Sequence, residues 1–563
     1  MKNLKDNYVI KLYLHNYKHF LFFLLISAIL ANIIRTIYQL IIKVIVDDVI
    51  LMGDYDILIK LLAFYVALNI FYNIINITNQ LVNSASTQLL VYEFQKRTFI
   101  HLQKHSLSYF IHSNMGELIS NFNKDIDNIS FFLSGKLLMI INAVMTLVVL
   151  SIALILLNYK LAIAFLLTLP IYYLSIKLVK KPMSKLMNKN RELWAKEINF
   201  IQDAFSNVKV TKLFNSYRSV LKIYIKLKGQ TIKNQIKTVF FTNALQQSTN
   251  IISLLGIVII IGYGAILIKN SELTIGGLVV FYTFTPNFLG AIRDLTNCSV
   301  YYKDFQIASK RINDIFKIEI ENHHTNLFKT RFSNGKIYFN GINFGYEGTQ
   351  LLKEVTFTIN PGEKVALVGK NGSGKTTLIN ILLGLYKPNK GEITIDDISI
   401  FDVSINYLRK YISFVTQDVG FFNMSIQENF EIAKRGCTQI EIEEVCKKVG
   451  AHDFIIKLPN GYKTVIGQRG MNLSGGQLKK LAIARALIKN SRIIIFDEAT
   501  AALDVESSMT FYELFNRELR DCTVIFIVHE FENLIYANRI LLLDDGKIIE
   551  SQNKELLMNY FQA

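Results

Sequence analysis

The chain has 563 residues, of which 51% are apolar and only 19% are charged, a balance that fits poorly with a wholly soluble protein. The formal net charge of +17 does not indicate nucleic-acid binding, because no motif of interleaved aromatic and basic residues accompanies it. The excess of basic residues lies beside apolar segments, where attraction to anionic lipid explains it. The four cysteines show no CxxC spacing, so neither a disulfide framework nor a zinc site is predicted.

Six apolar runs in the first half are close to the roughly 20 residues with which a helix crosses a bilayer. They lie at 20–42, 57–82, 137–157, 161–179, 251–268 and 275–291. A buried helix of a soluble protein is the alternative for any single run. Six runs in about 300 residues instead predict an all-α, six-helix polytopic membrane domain. Residues 158–160, between the third and fourth runs, predict a tight hairpin.

The charges of the connecting segments predict the orientation, since Lys and Arg are retained on the cytoplasmic side during insertion. Residues 181–240 hold thirteen basic residues against three acidic ones, so we expect this segment in the cytoplasm. The first hairpin has four acidic residues and no Lys or Arg between them, which indicates an external loop: Asp47, Asp48, Asp54 and Asp56. Both termini then lie inside, and residues 1–19 are interpreted as a cytoplasmic elbow helix, not as a signal peptide.

Two polar features lie within the predicted membrane helices. Arg35 is costly in lipid, so we expect it to face the protein interior or a cavity. Four amides of the second helix recur on one helical face: Asn69, Asn73, Asn76 and Gln80. They form either a polar wall for a peptide or glycolipid head group or a set of interhelical hydrogen bonds, and the second interpretation is slightly favoured.

After residue 328 the pattern changes to short strands, glycine turns and amphipathic helices, which predicts a second, α/β domain. Residues 336–339 and 342–346 alternate like a pair of edge strands. Tyr346, at the end of this region, has an aromatic face that can stack on a purine. The alternative is an ordinary tyrosine of the sheet.

An apolar strand at 364–368 runs directly into a loop with the P-loop pattern GxxxxGK[ST], and a helix is expected after it. Glycines let the backbone approach phosphates closely, and the N–H groups of the loop and of the helix N-terminus point at the negative charge. Lys375 is predicted to reach the β- and γ-phosphates, and the Thr376 hydroxyl to bind magnesium. The predicted nucleotide-binding residues of the loop are Gly369, Asn371, Gly372, Ser373, Gly374, Lys375, Thr376 and Thr377.

A second apolar strand, at 493–496, ends in Asp497 and Glu498. Such a strand places its last carboxylates at the sheet edge where the phosphates lie. Two acids at a strand end are usually only solvated charges, but together with the P-loop they predict chemistry. Asp497 is predicted to hold magnesium, and Glu498 to orient and deprotonate the attacking water.

The sequence LSGGQ at 473–477, between these two motifs, resembles the signature of the ABC ATPases. Residues 501–504 resemble their D-loop, Gln417 their Q-loop glutamine and His529 their switch histidine. The resemblance implies that Ser474, Gly475, Gly476 and Gln477 close over ATP held by another subunit and that Asp504 crosses the interface. It also implies that Gln417 contacts magnesium and the attacking water, that His529 contacts the γ-phosphate, and that Tyr346 stacks on the adenine.

The membrane half resembles the exporter branch of the same family, which includes multidrug and lipid-exporting half-transporters. Lys43 to Asp48 resembles the usual end of the first helix, and segments 110–125 and 203–214 resemble those that carry two coupling helices. We therefore expect an elbow helix at 1–19, a transmembrane domain with two long intracellular coupling loops at 20–310, a linker at 311–328 and an ABC ATP-binding domain at 329–563.

The chain departs from the family pattern at two positions. Gln468 stands before the signature where exporters generally have glutamate, which weakens any charge-based contact with the coupling helices. Glu530 follows the switch histidine where arginine is common. Only about twenty residues precede the first helix, so we expect no N-terminal peptidase domain and no cleavage of leader peptides.

Together these features predict an ABC-type translocase that hydrolyses ATP with Mg²⁺ and exports a substrate by alternating access. A homodimer is expected because one chain carries every element of the ATP site. We expect a bacterial cytoplasmic membrane protein, with its ATPase domain in the cytoplasm, that contacts lipid and binds no nucleic acid. An ATP-gated channel or a regulatory membrane ATPase is the alternative function, and a peptide, a lipid-linked molecule or a drug are the alternative substrates.

Overall fold

The computed structural model describes residues 8–51, 55–112, 115–318, 320–321, 332–346, 349–467, 473–499, 505–528 and 531–551. The chain divides into two compact units. The helical unit comprises Met1–Ile100 and Gly116–Lys317, and the α/β unit comprises His101–Met115 and Ile318–Ala563.

The described residues up to Lys317 are almost entirely helical. They are α1 (Tyr8–Val44), α2 (Tyr55–Gln103), α3 (Leu107–His112), α4 (Met115–Ser130), α5 (Leu137–Leu157), α6 (Tyr159–Leu166), α7 (Leu169–Ser206), α8 (Val208–Leu213), α9 (Tyr217–Lys269) and α10 (Ile275–Lys317). Two π-helical segments continue these helices, Ile45–Ile50 after α1 and Phe131–Lys136 between α4 and α5.

Six helical stretches within the described ranges are long and apolar enough to cross a bilayer, so the predicted number of membrane helices is confirmed. They are Lys18–Ile50, Tyr55–Gln103, Phe122–Leu157, Tyr159–Ser206, Tyr217–Lys269 and Ile275–Lys317. The predicted runs are shorter because the helices continue beyond the apolar stretch into polar sequence.

Two helix ends differ from the predicted segments. The elbow helix predicted at 1–19 is, from Tyr8 onward, the first part of α1, because residues 8–22 contain no Gly or Pro that would end a helix. At the other end, α10 continues to Lys317, into the range predicted as linker. The domain boundaries themselves stay predictions.

Side-chain contacts fix the ends of the membrane helices on the side that we predict to be external. Asn158 is the only residue between α5 and α6, and its side chain accepts a hydrogen bond from Leu161 N at 3.0 Å. The Asn158 amide also donates to Glu272 O at 3.1 Å, and Lys160 pairs with the Glu272 carboxylate at 2.7 Å. The predicted hairpin at 158–160 is therefore a one-residue connection, and it is bonded to the loop between α9 and α10.

The four amides predicted to share one face of α2 do not share one environment. Asn69 and Asn76 are half-buried, whereas Asn73 and Gln80 are exposed. Asn73 donates to the backbone and side-chain oxygens of Asn69 at 2.8 and 2.9 Å, so these two amides bond within their own helix. The amide that is buried is Asn79, one position away from the predicted stripe.

The α/β unit contains two sheets. Its strands are β1 (Ile337–Tyr346), β2 (Thr349–Ile359), β3 (Lys364–Val368), β4 (Lys390–Ile395), β5 (Ile398–Ser399), β6 (Ile412–Val415), β7 (Ile493–Asp497), β8 (Thr523–Ile527), β9 (Arg539–Asp544) and β10 (Lys547–Ser551). The smaller sheet has the order β2-β1-β4-β5, and the larger has the order β10-β9-β3-β8-β7-β6. In the larger sheet β9, β3, β8, β7 and β6 are parallel, and β10 is antiparallel to β9.

The edge-strand pair predicted at 336–346 is wrong, because these residues form the single strand β1 in the interior of the smaller sheet. Gly341 has φ +59°, which a glycine adopts without strain, and the register shifts between Asn340 and Asn343. The glycine therefore marks a bulge within one strand and not a turn between two.

Helices pack against the larger sheet. They are α11 (Lys375–Leu382), α12 (Ile405–Tyr411), α13 (Ile426–Ala433), α14 (Gln439–Lys448), α15 (His452–Ile456), α16 (Gly475–Leu487) and α17 (Val505–Arg517). Two of them, α11 and α16, begin at the P-loop and at the signature segment. The central residues of strands β3, β7 and β8 are all apolar because alternate residues face two separate hydrophobic cores. Ala366, Ile494 and Phe526 lie in one core, and Val365, Ile495 and Ile525 in the other.

Candidate functional site

The P-loop connects β3 to α11, as the sequence predicts. Gly372 and Gly374 have φ +81° and +107°, so only glycine adopts these positions without strain. A Cβ atom on Gly374 would lie 3.0 Å from Leu352 Cδ2, which leaves little space for a side chain. The loop therefore presents its backbone N–H groups and the N-terminus of α11 to one cleft.

Lys375 begins α11 and is only 7% exposed. Its ammonium donates to Gly369 O at 2.6 Å and to Lys370 O at 3.1 Å, within the loop that it serves. Burial lowers the pKa of Lys375, and the neighbouring Glu498 and Asp497 carboxylates oppose this shift. An added anion would compensate the buried positive charge, as expected of a phosphate-binding lysine.

The end of β7 brings the two predicted carboxylates to this loop. Asp497 is 4% exposed, and its Oδ2 accepts a hydrogen bond from Thr376 Oγ1 at 3.3 Å. Burial raises the pKa of Asp497, and the Glu498 carboxylate raises it further, whereas the Thr376 hydroxyl, Lys479 and Lys375 lower it. A divalent cation would relieve the carboxylate repulsion, so the threonine hydroxyl and the aspartate fit a magnesium ion.

Glu498 and Gln417 meet over the same loop. Gln417 follows β6 and donates from Nε2 to Glu498 Oε2 at 2.7 Å. Glu498 has φ +50°, a left-handed conformation that costs a non-glycine residue about 1–2 kcal/mol. Strain of this kind persists where the surrounding structure imposes it, often at functional sites.

These groups line one cleft of about 640 Å³. Ten of the predicted site residues border it: Tyr346, Asn371, Gly372, Gly374, Lys375, Thr376, Thr377, Gln417, Asp497 and Glu498. Gly369 and Ser373 lie in the same loop, and Ser373 Oγ is buried without a hydrogen-bond partner among the described residues. An unsatisfied hydroxyl beside a buried lysine fits a phosphate group.

Tyr346, which borders the cleft, belongs to an aromatic cluster. The Tyr346 hydroxyl lies 3.2 Å from Thr377 Oγ1, and its ring packs edge-on against Phe344 and Tyr386. Burial and the contact with Tyr346 raise the pKa of Tyr386 to about 12. The sequence did not single out Tyr386, since it lies forty residues away with no motif to mark it. The stacking of Tyr346 on adenine stays a prediction.

The signature residues are placed differently from the P-loop. Ser474 is the N-cap of α16: it accepts from Gln477 N at 3.3 Å, and its own N–H donates to the Gln477 side chain at 2.9 Å. Ser474 and Gly475 are exposed, and residues 474–477 are not among those that line the cleft. The exposed N-terminus of α16 thus lies outside the lining of this cleft. His529, Asp504, Gln468 and Glu530 lie outside the described residues.

Lys479 is a functional candidate that the sequence reasoning missed. It lies in the first turns of α16, is 7% exposed, and donates to Gln417 O at 2.7 Å, Glu498 O at 3.2 Å and Thr416 O at 3.4 Å. Burial lowers the pKa of Lys479, and the nearby carboxylates oppose the shift. Lysine on an amphipathic helix usually points to solvent, so only its second position after LSGGQ hinted at a role.

The chain combines a P-loop cleft of the ATPase type with six described helical stretches long and apolar enough to cross a membrane, and comparisons with known proteins agree with a membrane ATPase. Residues 21–292 match the family model of the ABC transporter transmembrane region, and residues 352–501 match that of the ABC transporter. An ATP-dependent lipid A-core flippase of Syntrophus aciditrophicus is 30% identical over 84% of this chain and 78% of its own length. A provisionally named multidrug export ATP-binding/permease protein of Staphylococcus aureus is 29% identical over 96% of both chains.

Other similarities agree with this result. The chain spans 27% of the length of a serine protease/ABC transporter B family protein of Dictyostelium discoideum, at 29% identity. A solved bacterial Atm1-family ABC exporter with ATP bound has the same fold, with a TM-score of 0.84, 97% coverage of both chains and 23% identity. The chain belongs to the ABC transporter family, and it is a membrane protein that couples ATP hydrolysis to export.

Proposed function

We propose that two copies of this chain form an exporter in which each ATP lies between the P-loop of one copy and the signature residues of the other. The support is that the P-loop, both carboxylates and Gln417 line one cleft, whereas Ser474–Gln477 do not. One chain therefore offers both complementary surfaces, and a two-fold pair uses both of them twice. A homodimer is the simplest assembly that completes the site.

The helical unit also supports a partner subunit. The most apolar 18-residue window of α2 contains no buried residue, although every other membrane-spanning stretch found has at least 22% of its window buried. The exposed face of α2 carries Asn73 and Gln80, which are costly against lipid hydrocarbon. A second copy that covers this face would remove that cost.

In this arrangement Thr376 Oγ1 and the Asp497 carboxylate would hold Mg²⁺, with Gln417 beside them. Bound there, the metal supplies positive charge that stabilises the transferring phosphoryl group. Lys375 and the N–H groups of the P-loop would bind the β- and γ-phosphates. Glu498, fixed by its hydrogen bond from Gln417, would accept the proton of the attacking water.

The expected transport cycle is alternating access. ATP joins the two α/β units through both composite sites, and hydrolysis releases them. We expect segments 110–125 and 203–214 to transmit this motion, because α8 within the second segment is a short helix with no buried residue and is available for contact.

We place the protein in a bacterial cytoplasmic membrane with the ATPase domain inside, because thirteen basic residues lie between positions 181 and 240. The relatives named for lipid A-core flipping and multidrug export suggest an amphipathic molecule as substrate. A peptide stays an alternative within the same mechanism.

The replacement Glu498→Gln tests the assignment. Loss of the general base should reduce steady-state hydrolysis by about 10²–10⁴-fold and leave ATP bound in a closed dimer. The measurement is phosphate release and retained nucleotide in the purified full-length protein. Glu513→Gln on α17, an exposed carboxylate paired with Arg517, is the matched control and should turn over normally. Wild-type turnover in Glu498→Gln would refute the assignment.

A further inference from the structure

A polar cavity lies among the membrane helices, remote in sequence from the ATP site. It has a volume of about 460 Å³ and is bordered by α1, by the π-helical segment with α5, and by α10. Its polar lining consists of Arg35, Asn142, Thr146, Asn287, Arg293 and Asp294. Two guanidinium groups and one carboxylate therefore face one space.

The two arginines have different partners. Arg35 donates to the side-chain oxygen of Asn287, a neutral group. Arg293 lies 3.8 Å from the Asp294 carboxylate and 3.4 Å from Gln246 Oε1. The carboxylate in the lining thus lies beside Arg293, and the hydrogen bond of Arg35 does not neutralise its charge. The cavity carries an excess of positive charge.

Both arginines lie at membrane depth. Arg35 precedes Asp47, which lies in the π-helical segment and is predicted to be external, by twelve residues, and Arg293 follows Ile275, the start of α10, by eighteen. At the helical rise these positions lie roughly 18 and 27 Å from the ends that we predict to be external. In a hydrocarbon core of about 30 Å both charges therefore fall in the inner half of the bilayer.

The surroundings of the arginines indicate a ligand-binding site more than a set of hydrogen bonds that only joins helices. Arg35 and Arg293 are only half-buried, so their charged groups reach the cavity. Arg293 also borders a second cavity of about 380 Å³ that contains Met183, Met187 and Tyr301. In the first cavity Leu138, Met139 and Ala143 lie beside the polar groups. A cationic end next to an apolar wall matches an amphiphile with a negative head group.

We propose that this cavity receives the anionic head group, a phosphate or a carboxylate, of an amphiphilic substrate taken from the inner leaflet. Arg35 supplies a charge that has no ion-pair partner among the described residues, and Arg293 supplies a second donor fork for bidentate binding. The proposal rests on the proposed function, since it names the substrate class of that exporter.

The test uses the full-length protein in nanodiscs of zwitterionic lipid, with ATPase rate as the readout. Dodecyl phosphate supplies the anion with a tail, methyl phosphate the anion without one, and dodecyltrimethylammonium the same tail with a cationic head. We expect dodecyl phosphate to stimulate hydrolysis and the other two to have little effect. Equal stimulation by the cationic amphiphile, or no response to dodecyl phosphate, would overturn the proposal. A response to methyl phosphate at the same concentration would show a soluble anion site and overturn the amphiphile assignment.

Variants then test the arginines, each compared with its own basal rate. Arg35→Gln and Arg293→Gln should each raise the half-maximal dodecyl phosphate concentration about ten-fold or more, because a charge-assisted hydrogen bond is lost. Arg35→Lys and Arg293→Lys keep the charge and should lose less. Unchanged half-maximal concentrations in both Gln variants would remove these arginines from the site.

A direct binding measurement separates this proposal from the proposed function. Binding of radiolabelled dodecyl phosphate to the nucleotide-free protein should weaken about ten-fold in both Gln variants, whether or not ATP is hydrolysed. Wild-type turnover in Glu498→Gln would refute the ATPase mechanism alone. Undiminished binding in both Gln variants would refute the head-group site alone.

Discussion

Lys479 places a buried cation behind the two groups to which we assign the handling of the attacking water. Its ammonium donates to the backbone oxygens of both Gln417 and Glu498, so the loops after β6 and β7 are joined at one atom. The same lysine lies on α16, whose first turn is the signature segment. A buried ammonium costs several kcal/mol unless its donors are satisfied. Moving either loop away would leave donors of Lys479 unpaired, so this cost holds the loops in place.

We expect Lys479→Met to reduce kcat about ten-fold and to change KM for ATP by less than about two-fold. Methionine keeps the buried stem but removes the donor, so the Gln417–Glu498 geometry loosens while the phosphate-binding groups remain. Steady-state hydrolysis by the purified full-length protein measures both constants. Lys480→Met, at the adjacent position of the same helix, is the matched control. A Lys479→Met protein with wild-type kcat would contradict this role.

The predictability of each residue follows from how local its environment is. The P-loop was predicted from its fixed spacing between a strand and a helix, and the Asp497–Glu498 pair from its place at the end of an apolar strand. Lys479 was not, because its burial depends on the ends of two strands more than fifteen residues away. Long-range packing of this kind leaves no periodic signal in the sequence.

At the scale of elements, the same division holds. Strands buried on both faces were predicted from short apolar segments and membrane helices from long ones, and β3 matches the predicted strand at 364–368 residue for residue. The bulge at Gly341 was missed because a glycine suits either a turn or a bulge. The unbroken start of α1 was missed because a polar segment suits either a separate short helix or the extension of the next one. Strand register and the length of a helix depend on contacts with segments distant in the sequence, which local sequence patterns do not reveal.

One contact between elements fixes the end of the helical unit that we predict to be external. Gly276 N, in the first turn of α10, donates to Asp47 Oδ1 of the π-helical segment at 2.7 Å. A Cβ atom on Gly276 would lie 2.6 Å from Lys43 O and 2.8 Å from the Asp47 carboxylate. The close approach of these two helices therefore requires glycine at this position.

We expect Gly276→Ala to destabilise the protein by about 1–3 kcal/mol, because the added methyl group has to displace backbone. Gly262→Ala on α9 is the matched control, since a Cβ atom there has no neighbour within 4 Å. That change should be neutral or stabilising by up to about 1 kcal/mol, from helix propensity. Thermal melting of both variants in detergent tests the pair. Equal melting temperatures would show that the approach of α10 to Asp47 tolerates a methyl group.

At the scale of the whole molecule, our proposal makes the unit of function a pair of chains, because the signature residues do not line the cleft of their own chain. The cleft holds the groups to which we assign phosphate binding and hydrolysis, and the exposed N-terminus of α16 lies outside its lining. If the two surfaces combine between copies, an intact P-loop of one chain can form a site with an intact signature of the other. If they combine within one chain, the partner is irrelevant.

Mixed dimers distinguish these possibilities. Lys375→Ala disables the P-loop, and Gly475→Asp places a negative charge where phosphate would lie, while an acidic residue in the first turn remains favourable for the helix. A dimer with one change in each chain should keep one intact composite site and about half of the wild-type hydrolysis, if the two sites act independently. Each homodimer of a single variant should be inactive.

Placing both changes in one chain reverses the expectation. A dimer of wild-type and doubly changed chains has no intact composite site, because each site then contains one disabled surface, so it should be inactive. A site formed within one chain would give the opposite pattern: activity in this dimer and none in the dimer with one change per chain. Hydrolysis by the two purified heterodimers, isolated with two affinity tags, therefore decides where the signature of each copy acts.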